Sequence, residues 1–94
     1  MDYNSFVPDK IQIALTKGGW KMTYSSFDKD KVQLGDKGVG MQKWEKDGID
    51  IYFHYVAKDH KIKNAEVELW WGDNNCETFA IRNILSVLRR RELI

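Results

Sequence analysis

His54, Glu66 and Glu68 are the residues in this sequence best suited to acid–base or metal chemistry, with Asp50 four positions before the histidine. Histidine with carboxylates suits zinc, manganese or iron. One histidine on a flat sheet closes no tetrahedral site, however, so a cross-strand hydrogen bond from His54 to Glu66 is expected and no metal ligand is assigned. Lys43, Tyr52 and Trp70 share the alternation of these groups. Large aromatics set among charges supply the anchors of protein interfaces. Trp70 and Tyr52 are therefore the expected anchors of a partner-binding surface, with Lys43, Glu66, Glu68 and His54 setting specificity. Arg82, Arg89, Arg90 and Arg91 form a second group. They could hold phosphates or an acidic partner, or they could simply complement a helix C-terminus. Cys76 would sit in the first turn of a helix, where a dipole lowers a thiol pKa, but local sequence gives it no His or Asp partner and it falls on an apolar stripe. It reads as a buried structural thiol. His60, beside lysines, reads as a solvated loop residue. No serine nucleophile is apparent, and no catalytic residue is assigned.

These groups need a scaffold, and the stretch Gly40 to Gly72 supplies it as two consecutive hairpins. Asp47-Gly48 between alternating apolar residues signals a type I′ turn, whose two central residues both take positive φ. That turn sets Lys46 opposite Ile49, Glu45 opposite Asp50, Trp44 opposite Ile51 and Lys43 opposite Tyr52. Side chains alternate along a strand, so Trp44, Ile49, Ile51, Phe53 and Tyr55 share a core face while Asp50, Tyr52, His54 and Val56 share the other. Ala65 to Trp71 alternates in the same manner. A two-residue turn at Asp59-His60 would place Phe53 opposite Glu66 and mix the faces, because a one-residue slip flips every side chain. A three-residue loop at Asp59-His60-Lys61 pairs Phe53 with Val67 and Ile51 with Leu69. The open face then carries the rows Glu45–Asp50–Trp70, Lys43–Tyr52–Glu68 and Met41–His54–Glu66. Glu45 opposite Asp50 is a like-charge pair with a cost.

Outside the hairpins, Pro8 to Lys17 reads as a helix with proline in its first turn, Gly18 at its end and a stripe of Val7, Ile11, Ala14 and Leu15. The alternative is a strand turning at Gly18-Gly19. Trp20 to Ser25 is a strand on either reading, with Trp20, Met22 and Tyr24 pointing one way. Asp28 to Gly40, with Gly35, Gly38 and Gly40, is expected to be a mobile surface loop, its spacing matching neither a P-loop nor a dinucleotide fingerprint. From about 75 to 91 a long helix is expected. Asn74 would be its N-cap and Glu77 the capping-box partner. Cys76, Ala80, Ile81, Ile84, Leu85, Val87 and Leu88 would form its apolar stripe, packed on the core face of the sheet. The fold class is α+β: an antiparallel sheet of four to five strands around the double hairpin 40–72, one face covered by a C-terminal helix, with a possible N-terminal helix 8–17.

Composition bounds the function. A chain of 94 residues, 43% hydrophobic, suits one domain with a real core. A net charge of +1 gives no overall signal for nucleic acid and argues against an acidic mimic of it. The single cysteine excludes an internal disulfide and a cysteine zinc cluster. No signal-peptide pattern opens the sequence, and no apolar run approaches the roughly 18 residues of a membrane span. A soluble, cytoplasmic protein without a cofactor is expected, with another protein as its partner, nucleic acid as a secondary possibility, and no membrane. The apolar pair Leu93-Ile94 and the sheet edges leave a homodimer open.

The order helix, strand, hairpin, strand, helix, and the run Lys10-Ile-Gln-Ile-Ala-Leu-Thr-Lys-Gly-Gly-Trp-Lys-Met-Thr, resemble the core of the PD-(D/E)xK nuclease-like superfamily. The resemblance implies a metal site in which Asp50 and Glu66 match the acids. The lysine position of that motif falls on Glu68, Lys43 lies on another strand, and the superfamily's last strand has no counterpart. The hairpin Tyr55 to Ile62 with Ala65 to Trp71 also looks like hairpins of small viral anti-defence proteins. The leading expectation is a small non-enzymatic protein-binding module, an inhibitor or adaptor of the phage anti-defence or immunity type, acting through the open sheet face. A degenerate metal-dependent nuclease and a nucleic-acid binder using the C-terminal arginines are the alternatives.

Overall fold

A computed structural model describes residues 7–26, 38–58 and 61–94 of the chain. Helix α1 (Asp9–Lys17) is followed by strands β1 (Lys21–Ser26), β2 (Gly38–Lys46), β3 (Ile49–Lys58), β4 (Lys61–Trp71) and β5 (Asn75–Ala80), a 3-10 turn (Ile81–Asn83) and helix α2 (Ile84–Arg90). The strands form one antiparallel sheet in sequence order. This is the α+β arrangement that the alternation implies. Both helices lie on one face of the sheet. Ile11 and Leu15 from α1, and Ile84, Val87 and Leu88 from α2, share a core with Trp44, Ile51, Phe53, Tyr55, Val67 and Leu69. Burial of this apolar surface, at roughly 25 cal/mol per Å², drives the assembly. Gln42 is the one buried polar side chain in that layer among the described residues, and its Oε1 accepts a hydrogen bond from Trp44 Nε1 at 2.6 Å.

The first hairpin is as expected. Asp47 and Gly48 have φ of 49° and 79°, and the ladder pairs Lys46 with Ile49, Trp44 with Ile51 and Lys43 with Tyr52. The second hairpin reaches the expected pairing by another route. Phe53 stands opposite Val67 and Ile51 opposite Leu69, yet near the turn Lys58 pairs with Lys61, which leaves two connecting residues rather than three. Asp59 and His60 themselves lie outside the described residues. The register shifts between His54 and Val56, where Asn64 and Ala65 together face Tyr55. A bulge of this kind adds one residue to one strand. It corrects the mismatch that a two-residue turn would carry into the core.

A second bulge corrects the reading of β1. Met22 pairs with Trp44, but Tyr24 pairs with Lys43, so Thr23 is the extra residue. Trp20 and Met22 stay on the helix side while Tyr24 moves to the open face. The residues from Asp28 to Lys37 lie outside the described ones; Gly38 to Gly40 belong to β2, not to a loop.

The largest departure is at Asn75 to Ala80, which is a strand and not the first half of a helix. Gly72, with φ of 64°, turns the chain back, and β5 pairs with β4 from Trp71↔Asn75 to Glu66↔Ala80. The ladder groups along the outer side of β4 gain partners in this way, and an unpaired edge is a liability. Glu77 and Phe79 face the helix side; Cys76, Thr78 and Ala80 face out. Asn74 caps nothing, and the apolar stripe contracts to Ile84, Val87 and Leu88, the i, i+3, i+4 set of a seven-residue helix.

Both helices end alike. Gly19 (φ 90°) follows α1, with Gly19 N–H bonded to Thr16 O and Trp20 N–H to Leu15 O. Glu92 (φ 57°) follows α2, with Glu92 N–H bonded to Arg89 O and Leu93 N–H to Leu88 O. Each is a Schellman motif, and the apolar residues they deliver meet: Trp20 Nε1 donates to Leu93 O at 2.8 Å. Lys46 Nζ donates to Gly18 O at 2.7 Å. Leu93 and Ile94 are partly buried against the core edge. A left-handed conformation costs an L-residue about 1 kcal/mol that glycine avoids. Glu92→Gly is therefore expected to stabilise the fold by about 0.5–1 kcal/mol in urea unfolding, as glycine at a C′ position does.

Candidate functional site

The open face of the sheet has five columns and three rows. Lys21, Glu45, Asp50, Trp70 and Cys76 make one row; Tyr24, Lys43, Tyr52, Glu68 and Thr78 the second; Ser26, Met41, His54, Glu66 and Ala80 the third. All six expected partner-binding residues (Trp70, Tyr52, Lys43, Glu66, Glu68 and His54) are on this face. Tyr24 and Cys76 join them, and sequence reasoning placed neither here. Tyr24 needs the bulge at Thr23, which has no clear signal in the sequence. Cys76 needs β5, whose signals were Thr78, Phe79 and the turn Gly72-Asp73-Asn74.

Contacts within the face follow the twist of the sheet. His54 stands opposite Glu66 but bonds the diagonal Glu68, with Nε2 to Oε1 at 2.6 Å. Long side chains reach diagonal neighbours in a twisted antiparallel pair. Glu66 remains exposed. The other Glu68 oxygen, Oε2, accepts from Cys76 Sγ at 3.9 Å. Cys76 is thus exposed on the open face, not buried in a stripe. Local desolvation of the sulfur and the adjacent Glu68 carboxylate push its thiol pKa up. Its Sγ donates to one oxygen of Glu68 while His54 bonds the other, so the carboxylate stands between thiol and imidazole. Lys43 Nζ bonds Glu45 Oε1 at 2.8 Å and lies 5.5 Å from the Tyr52 ring centroid. The Glu45 carboxylate holds the Lys43 ammonium above its ordinary range, and this contact offsets the like-charge pairing of Glu45 with Asp50. Tyr52 and His54 stack with centroids 6.2 Å apart and planes 11° from parallel.

These side chains frame a hollow of about 390 Å³, lined by Met41, Gly48, Asp50, Tyr52, His54, Glu68, Trp70, Gly72 and Asp73. Among the described residues, three carboxylates and three aromatic rings line it, and no lysine or arginine does. Trp70, opposite Cys76 and away from the core, is one of the large apolar side chains left exposed.

Among the described residues, no three His, Cys, Asp or Glu side chains come together in a metal-binding arrangement. Asp50 and Glu66, the acids implied by the nuclease-like resemblance, lie in the first and third rows. Four residues of strand separate those rows, about 13 Å, which is too far for one ion to bridge. The element order also departs from that superfamily, since a fifth strand stands where its closing helix would begin.

The four arginines are divided. Arg91 Nη2 pairs with Glu77 Oε2 at 2.8 Å, and its guanidinium lies 5.5 Å from both the Trp71 and Phe79 ring centroids. Arg82, Arg89 and Arg90 are exposed and form no ion pair among the described residues.

Comparison of the chain with protein-family models, curated proteins and solved structures finds no match. No helix among the described residues is long and apolar enough to cross a membrane.

Proposed function

We propose that this chain is a small non-enzymatic protein-binding module, an inhibitor or adaptor, that grips its partner with the open sheet face. The observation that carries the reading is the composition of the hollow. Asp50, Glu68 and Asp73 supply negative charge, Trp70 and Tyr52 supply aromatic faces, and among the described residues no lysine or arginine lines it. Carboxylates beside aromatic rings suit a basic side chain, above all arginine, which combines charge-assisted hydrogen bonds with stacking on a ring. Lys43 stands next to this hollow but is turned to Glu45, where it would repel a misplaced cation and help fix register. The partner segment is accordingly a basic one, with an arginine seated between Trp70 and the carboxylates.

Selection of a random peptide library on the wild-type protein tests this. Basic peptides should be enriched, and Trp70→Ala should weaken them by about 2 kcal/mol or more, roughly thirtyfold, as expected of an interface anchor. Trp70 projects away from the core, so circular dichroism and the urea midpoint should change little. Enriched peptides without basic residues, or equal affinity for Trp70→Ala, would remove the basis for the proposal.

A further inference from the structure

The helix-covered side holds a second hollow, also about 390 Å³, between the start of α1 and the 3-10 turn with α2. Lys10 reaches it from one side, and Arg82, Ser86 and Arg89 from the other. Ser86 and Arg89, spaced i, i+3 on α2, share a helical face, and Arg82 joins them from the 3-10 turn. The floor is apolar, made by Ile11, Ile81 and Leu85, and among the described residues no carboxylate lines the hollow. Lys10, Arg82 and Arg89 make no ion pair among the described residues. Three cations gathered with no counter-charge among the described residues repel one another, and an anion seated among them would relieve that repulsion. We infer that this hollow binds a phosphoryl group carried by a small ligand. The two guanidiniums can take phosphate oxygens bidentately, the Lys10 ammonium and Ser86 hydroxyl can complete the set, and the apolar floor can cover the ligand's body. The volume is at the small end of ligand sites, suited to a molecule of about nucleotide size. The sequence places four arginines together; the fold removes Arg91 to Glu77 and brings in Lys10, 72 positions upstream of Arg82.

The test is a titration with inorganic pyrophosphate at low ionic strength, followed by amide and arginine side-chain NMR. Saturable shifts should concentrate at Lys10, Arg82, Ser86 and Arg89, with Arg91 unmoved. The double variant Arg82→Gln/Arg89→Gln should weaken binding by about a hundredfold, roughly tenfold for each charge-assisted contact removed. Both residues are exposed, and unchanged circular dichroism would show that the variant is folded. Absence of saturation, or shifts spread evenly over all basic residues, would overturn the inference. A parallel titration with a short single-stranded DNA distinguishes the source of the phosphate. DNA binding far tighter than pyrophosphate, and weakened as much by Arg90→Gln as by the double variant, would replace the small-ligand site with a diffuse nucleic-acid surface.

Discussion

Gly40→Ala is expected to destabilise the protein by about 3 kcal/mol, a large part of the roughly 5–14 kcal/mol typical of a domain of this length. Gly40 is buried in β2 directly opposite Tyr55. A methyl group there would overlap the Tyr55 ring and the carbonyl oxygen of Ser26. The ring could swing aside only by leaving the core, where Tyr55 is now 4% exposed. The Ser26 carbonyl belongs to the neighbouring strand and cannot move without loosening the β1–β2 ladder beside Met41, which lines the open-face hollow. Two consequences follow together: a lower urea midpoint, and weaker binding of any basic peptide at the hollow. Tyr55→Leu in the Gly40→Ala background should recover only part of the loss, because the backbone overlap persists. A Gly40→Ala protein within about 0.5 kcal/mol of wild type would show that β1 yields easily.

Trp20→Ala is expected to cost about 3–5 kcal/mol, the usual range for removing a buried large aromatic. Trp20 is 2% exposed, and its indole N–H joins the turn after α1 to the turn after α2 through Leu93 O. Truncation would leave a cavity and loosen the attachment of Leu93 and Ile94. Trp20→Phe separates the two contributions. It keeps most of the apolar contact and loses the hydrogen bond, worth about 1 kcal/mol, part of which Lys46 Nζ can replace from 3.4 Å. Urea unfolding of the two variants gives the partition directly. A loss below about 1 kcal/mol for Trp20→Ala would mean that the two helix ends hold their places independently.

The double hairpin was legible because two local rules agree. Asp47-Gly48 fixes one register, and the alternation of Ile51, Phe53, Val67 and Leu69 demands the other whatever the turn does. Helix α1 was legible from Pro8, Gly18 and the spacing of Ile11 and Leu15. The segment from Asn75 was misread because Asn74 and Glu77 satisfy a capping box while the opposing demand, pairing for the outer side of β4, is non-local. Local propensity yields to tertiary pairing in such a case. The same error hid Cys76 among core positions. At the site, the membership of the face was readable from parity, but its contacts were not. His54 chose Glu68 over the directly opposed Glu66 through sheet twist, which period-two reasoning flattens. The convergence of Lys10 with Arg82 and Arg89 depends on how two helices share one face of a sheet, and nothing in the spacing along the chain encodes it.

The offset between the β3–β4 turn and its bulge bears on how this gene can drift. The hairpin carries two one-residue departures that cancel, a short connection after Lys58 and an extra residue opposite Tyr55. A lineage that gained one codon in the connection would tip Val67 and Leu69 outward unless the bulge were lost as well, whereas a gain or loss of two codons would leave both faces intact. Homologous hairpins should therefore differ in length by even steps, or by odd steps accompanied by a straightened strand, and the parity of an insertion would forecast whether its bearer keeps the acidic aromatic hollow.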